Sequence, residues 1–160
     1  MQKVVITGHD LTVDQIIAVC REGAEVVLSD ESREKILASR QVVNELVEER
    51  KVVYGITTGF GKFSDVVISQ DECKLLQKNL IITHAVGAGD PFKEDIARGI
   101  LLLRVNSLSN GFSGICLETV ETMIAMLNKG VTPFIPEKGS LGASGDLAPL
   151  SHMVLPMIGL

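Results

Sequence analysis

A mainly α-helical fold with one or two short β ribbons is what this sequence predicts, and three observations carry the prediction. Apolar residues recur at helical spacing in successive stretches, two Ser/Thr-x-x-Glu/Gln capping boxes open such stretches, and glycine or proline closes them. At 160 residues, 46% of them hydrophobic, the chain is long enough to bury the core of one ordinary domain, or of a small domain and part of another. It contains no internal repeat and no low-complexity tract.

The elements follow in order. Val4 to Ile6 is a short β-prone run, after which Thr12 and Gln15 form a capping box for a helix reaching about Arg21, stopped by Gly23. From about Ser32 to Arg50, Ile36, Val43 and Val47 share one helical face with Leu46 beside them, while Glu45, Glu48 and Glu49 lie elsewhere. Ser69 and Glu72 form the second capping box, and Cys73, Leu76 and Leu80 continue one face down to His84, with Gly87 and Gly89 beyond. Pro91 precedes a further helix in which Ile96, Ile100 and Leu103 are expected to face one way and Leu101 and Leu102 to cover the flanks, so that it is buried on most sides. Leu117, Val120, Ile124 and Leu127 define the next, closed by Gly130 and Pro133. Asp146 is expected to cap the last helix, whose apolar face is Leu147, Leu150, Val154 and Met157, with Pro149 tolerated in the first turn. The chain stops at VLPMIGL inside an apolar pattern, so it reads as the front part of a longer protein, with a boundary expected in the polar turn from Ser107 to Gly114.

Composition excludes several function classes. A net charge of -5 without any basic run argues against a general binder of nucleic acid or acidic membranes. Cys20, Cys73 and Cys116 are widely spaced and lack CxxC or Cys/His clustering, which predicts neither a disulfide framework nor a metal site and points to a reducing cytoplasm. The start lacks the apolar core of a signal peptide, and no apolar run approaches a membrane span in length.

Three segments are candidates for chemistry. The first, YGITTGFGKF from Tyr54 to Phe63, must be a loop because of its glycines, yet no Gly-Lys-Ser/Thr follows to make it a phosphate cradle. Tyr54 is either a half-buried structural residue or a phenol acid/base, the latter needing a pKa below the usual value of about 10. The second is His84, which continues an apolar helix face and is either a hydrogen-bonded core or capping residue or a functional one. The third is GSLGASGDLAPLSHM, where Gly139, Gly142 and Gly145 stand three apart and Ser144 lies between Ala143 and Gly145. Asp146 stands where a nucleophile elbow needs glycine, and no His and Asp are ordered for a triad. An anion site at the following helix N-terminus is a second reading, although Asp146 would compete with the anion. A third reading uses the smallness of the residues. Attack of the Gly145 amide nitrogen on the Ala143 carbonyl carbon closes a five-membered ring across Ser144, and loss of water turns the serine into a methylidene electrophile. Ordinary side chains supply no comparable electrophile.

Together these segments resemble those of the histidine and aromatic amino-acid ammonia-lyases. GSLGASGDLAPLS resembles that family's signature, YGITTGFG its tyrosine loop and RVNSLSNGFSG (Arg104 to Gly114) a third family segment, and the likeness runs over nearly the whole chain. The resemblance implies a histidase/aspartase-like architecture, with a small N-terminal helical domain over residues 1–110 and the start of a long-helix bundle domain over 111–160. It implies that Ala143, Ser144 and Gly145 form a methylidene-imidazolone (MIO) electrophile autocatalytically, with no external cofactor, and that Tyr54 takes part in proton transfer. It places substrate selection at Thr83 and His84; Ser-His is typical for histidine, Phe-Leu for phenylalanine and His-Leu for many bacterial tyrosine enzymes, so His84 favours histidine and its elimination to urocanate, a step of histidine catabolism. Thr83 departs from the usual serine but keeps a hydroxyl.

The same resemblance implies a cytoplasmic homotetramer whose sites collect further residues from beyond this chain, so the 160-residue piece is expected to be inactive alone, its serine uncyclised. The alternatives are a phenylalanine or tyrosine ammonia-lyase or aminomutase, and, from another class, a non-catalytic anion-binding module.

Overall fold

Two strands of four residues, β1 (Lys3–Ile6) and β2 (Glu25–Leu28), pair in parallel with Val4 opposite Val26 and Ile6 opposite Leu28. These four side chains are buried and the intervening ones are more exposed, the two-residue period of a sheet with one covered face. The crossover between the strands is α1 (Val13–Arg21), which opens with the expected box: Thr12 Oγ1 accepts the Gln15 N–H, and Gln15 Oε1 accepts the Thr12 N–H. The computed structural model describes residues 2–58 and 70–160, with the backbone alone at 70–74. The Ser69–Glu72 capping box, Cys73 and the second half of the tyrosine loop lie outside the described residues or side chains.

A two-stranded sheet is marginal by itself, and here it is packed against helices. The remaining helices are α2 (Asp30–Glu48), α3 (Gln70–His84), α4 (Glu94–Leu108), α5 (Leu117–Asn128) and α6 (Leu147–Val154), the last continued by a 3-10 turn at Leu155–Ile158. α1 packs on α4, α4 on α5, α5 on β2 and α3 on α6. One apolar cluster joins Val4 and Ile6 of β1, Ile36 of α2, Leu101, Leu102 and Val105 of α4, Val120 and Leu127 of α5 and Met153 of α6. Each fully buried Leu or Ile contributes roughly 1.5–3 kcal/mol. Asn128, just past the core face of α5, acts as a third strand for β2: its amide oxygen accepts the Val26 N–H at 2.8 Å and its amide nitrogen donates to Val26 O at 2.9 Å.

The face of α4 differs from the expectation. Ala97, Arg98, Leu101, Leu102 and Val105 are buried, whereas Ile96 and Leu103 are 46% and 50% exposed. Burial of Arg98 explains the rotation. Its guanidinium donates to Val19 O at 3.0 Å and to Leu127 O at 3.2 Å, carbonyls in the last turns of α1 and α5. These groups have no partner within their own helices and carry the negative end of the helix dipoles, so a buried cation is well placed there. α4 therefore turns Arg98 inward as a clasp between two helix ends, and Ile96 goes to the surface.

A second sheet, read in the sequence only as a possible ribbon, pairs β3 (Ala88–Pro91) with β4 (Pro136–Lys138) in antiparallel fashion. It carries the chain from the end of α3 into the neighbourhood of the glycine-rich segment before α6.

Candidate active site

The segment from Gly139 to Gly145 owes its path to left-handed glycines, with φ of +128° at Gly139, +118° at Gly142 and +76° at Gly145. At Gly139 there is a second reason for glycine, since a Cβ there would lie 2.8 Å from the Gly87 Cα. The two backbones touch because neither residue has a side chain. Gly87 is three residues beyond His84, the last residue of α3, so this contact ties the chain just past α3 to the segment that carries Ser144.

Ala143 and Ser144 are exposed, and the segment is tied at both ends. Ser140 Oγ donates to Gly145 O, and Ser144 Oγ donates to Asp146 Oδ1. The other carboxylate oxygen, Asp146 Oδ2, faces the Arg104 guanidinium of α4 at 3.5 Å. The Ser144 hydroxyl, chiefly, and Arg104 hold the Asp146 carboxyl below the ordinary aspartate range. Two motifs that are separate in sequence thus meet at one carboxylate. Asp146 stands at the N-cap position of α6, but with φ −108° and ψ −7° its side chain accepts no N–H from the helix, contrary to the expected cap. Leu147, expected on the apolar face of α6, is 54% exposed; Leu150, Val154 and Met157 do pack against the core.

Beside this segment lies an open cleft of about 530 Å³, walled by Ile100 and Leu103 of α4, Pro136 of β4 and Leu150 of α6, with Arg104 and Asp146 among its polar groups. An apolar wall with a few fixed polar groups is the usual make-up of a small-molecule site. His84 is half-buried. Its Nδ1 lies 2.8 Å from Leu80 O, to which it can only donate, and the Thr83 hydroxyl donates to the same carbonyl at 3.1 Å. Both residues are thereby seated on the last turn of α3. Tyr54 is 63% exposed in the turn at residues 54–57, which is closed locally by bonds from Val53 N to Thr57 Oγ1 and from Thr57 N to Val53 O.

Two participants escaped the sequence reading. Arg104 lies inside RVNSLSNGFSG, but only the fold pairs it with Asp146. His152, the residue after the signature run, accepts the Gly87 N–H on Nε2 at 2.9 Å, and burial lowers its pKa. Among the described residues no group of three or more His, Cys, Asp or Glu is placed to hold a metal ion. No helix among them is long and apolar enough to cross a membrane.

A profile of the aromatic amino acid lyases matches residues 11–160. Histidine ammonia-lyase of Caldanaerobacter subterraneus subsp. tengcongensis is 62% identical over 159 residues, 99% of this chain and 31% of the relative. The crystal structure of histidine ammonia-lyase from Trypanosoma cruzi superposes with a TM-score of 0.90 at 43% identity, covering 99% of this chain and 30% of that one. The ergothioneine-degrading ergothionase of Treponema denticola gives 0.93 at 32% identity, covering 99% and 32%. The chain thus spans about 31% of the length of the curated relatives that it matches.

Proposed function

The chain belongs to the aromatic amino acid lyase family, and we propose that it is the N-terminal portion of a histidine ammonia-lyase, which eliminates ammonia from L-histidine without oxidation to give urocanate. The observation that carries this reading is the setting of Ser144: exposed, between Ala143 and a left-handed Gly145, with its hydroxyl on the Asp146 carboxylate. That setting fits an MIO precursor. Ring closure between Gly145 N and Ala143 C requires small flanking residues and a sharp backbone, and both are present. When formed, the ring supplies an electrophilic methylidene carbon in a chain otherwise limited to nucleophiles, acids and bases.

The remaining roles fall to the chain's own side chains. Asp146 accepts the Ser144 O–H and, held ionised beside Arg104, orients that hydroxyl before cyclisation. Tyr54, on its exposed turn, serves proton transfer at the substrate's weakly acidic Cβ, where a placed base is needed. His84, fixed to Leu80 O through Nδ1, contacts the substrate imidazole. In the parent, residues 1–110 form the N-terminal domain and 111–160 open the central helical domain. Its site is completed by residues outside this chain within a cytoplasmic homotetramer, a compartment in which Cys20 and Cys116 stay as thiols.

The test is the full-length parent. Its intact mass is expected to fall two waters short of the encoded chain, and it is expected to convert L-histidine to urocanate, with Ser144→Ala restoring the mass and abolishing nearly all turnover. Cinnamate or coumarate from phenylalanine or tyrosine in place of urocanate would move the substrate assignment. An active Ser144→Ala would remove the lyase reading altogether, and turnover by the 160-residue chain alone would remove the claim that the site is completed elsewhere.

A further inference from the structure

The end of α3 is held in an unusual way. Ala85 N–H donates to Ile81 O and Val86 N–H to His84 O, so the first two amides past the helix are satisfied locally. The third, at Gly87, crosses to another part of the chain and donates to Nε2 of His152, 65 residues away on α6. An imidazole nitrogen that accepts carries no proton, so the ring is neutral and its hydrogen is on Nδ1. Burial of His152 favours that neutral form.

Gly87 is also walled on several sides. A Cβ there would stand 2.9 Å from His152 Nε2 and 2.9 Å from Pro136 Cγ of β4, and the missing side chain of Gly139 admits the Gly87 Cα. One residue, three positions beyond His84, is therefore gripped by α6, by β4 and by the first glycine of the segment leading to Ser144.

We infer that His152 is a positioning residue: by accepting the Gly87 N–H it fixes the end of α3, and with it Thr83 and His84, in register with the segment that carries Ser144. The catalytic consequence rests on the histidine ammonia-lyase reading, whereas the clasp itself does not. A residue that only stabilised the fold would alter stability or ring formation. One that sets the distance between the imidazole-binding pair and the reacting serine alters KM for histidine in enzyme whose ring has formed.

The experiment compares wild-type, His152→Met, His152→Gln and Gly87→Ala forms of the full-length parent. It records intact mass, KM and kcat on L-histidine, and hydrogen exchange at the Gly87 amide from overlapping peptides. Met fills the space but weakens the acceptor; Gln carries an acceptor oxygen close to the position of Nε2. His152→Met is expected to retain the two-water deficit, raise KM at least about tenfold and speed Gly87 exchange at least about tenfold, in line with loss of a partly buried hydrogen bond. His152→Gln is expected within about threefold of wild type on both measures, which also covers the case in which His152→Met fails to fold. Gly87→Ala, whose methyl displaces the imidazole, is expected to reproduce the KM rise.

Unchanged Gly87 exchange in His152→Met overturns the clasp. A KM within about twofold of wild type in His152→Met or Gly87→Ala, a His152→Gln enzyme as impaired as His152→Met, or a His152→Met enzyme that has kept its two waters overturns the positioning role. A wild-type parent that makes no urocanate refutes the lyase reading instead, and Gly87 exchange then still decides the clasp.

Discussion

Gly114 closes the RVNSLSNGFSG segment, and its replacement by alanine tests how that segment is docked. The residue is buried with φ +66°, its N–H donates to Ser39 Oγ at 3.0 Å, and its carbonyl accepts from Arg40 at 3.1 Å, so the turn lies directly on α2. A Cβ on Gly114 would stand 2.3 Å from Val43 Cγ2. Two costs follow for Gly114→Ala: about 1–2 kcal/mol for an alanine in the left-handed region and about 1–3 kcal/mol for forcing Val43 aside in a packed contact. Val43→Ala alone removes two methyl carbons from a half-buried site, worth about 1 kcal/mol, and also removes the obstacle. The double variant should therefore keep only the backbone strain and the lost methyls, falling short of the sum of the single effects by about 1–3 kcal/mol. Urea unfolding of the four proteins, followed by far-ultraviolet circular dichroism, measures the cycle. If Gly114→Ala costs as much in the Val43→Ala background as in the wild type, the contact with Val43 is not what demands glycine. A Gly114→Ala cost below about 0.5 kcal/mol would remove the backbone argument as well.

Two further expectations concern polar groups that are buried or half-buried. Arg98→Met leaves Val19 O without a donor, at roughly 1–3 kcal/mol, while Leu127 O keeps the Gly130 N–H at 3.3 Å and loses only its second donor; with a cation no longer buried as a partial offset, a net loss of about 1–3 kcal/mol is expected in urea unfolding, and a variant as stable as wild type would refute the helix-end clasp. For His152, burial lowers the folded-state pKa below the unfolded value of about 6.5. As pH falls below about 6.5 the unfolded chain takes up a proton that the folded chain refuses, so this residue's contribution to stability declines until the folded pKa is passed. Measured against pH, the stability advantage of wild type over His152→Gln should narrow between about pH 7 and pH 5, and a constant difference would show that the imidazole is not held neutral.

Much of the helical framework was legible because its signals are local. Thr12 and Gln15 are three residues apart, and the apolar positions of α5 repeat over single turns, so both could be read without knowing what they pack against. The face of α4 was misread for the opposite reason. Its sequence is apolar on more than one side, and the choice depends on where Arg98 finds carbonyls, on α1 and α5. The small sheets were hard to see because four-residue strands such as AGDP carry little β propensity, and because β2 is pinned by Asn128 from 102 residues away. The candidate site divides in the same manner. Ala143, Ser144 and Gly145 announce themselves through side-chain size, but Arg104 meets Asp146 across 42 residues and His152 meets Gly87 across 65.

Asp146 is the position at which local and global demands conflict. Aspartate before LAPLSHM is a good helix start, and a side-chain cap there would contribute about 1 kcal/mol. The fold forgoes it. Instead the residue adopts helical φ and ψ, and its two oxygens go to the Ser144 hydroxyl and the Arg104 guanidinium. Had Asp146 capped α6, its oxygens would have turned to the amides of the helix, and the hydroxyl of Ser144 would have been left to water on an exposed loop. A departure of this kind from locally favourable structure is expected where function, not stability, selects the arrangement. It also explains why a helix-capping rule identified the right residue but the wrong partner. Aspartate is the preferred cap because its carboxylate accepts short-range hydrogen bonds, and the same property lets it hold a serine two residues earlier.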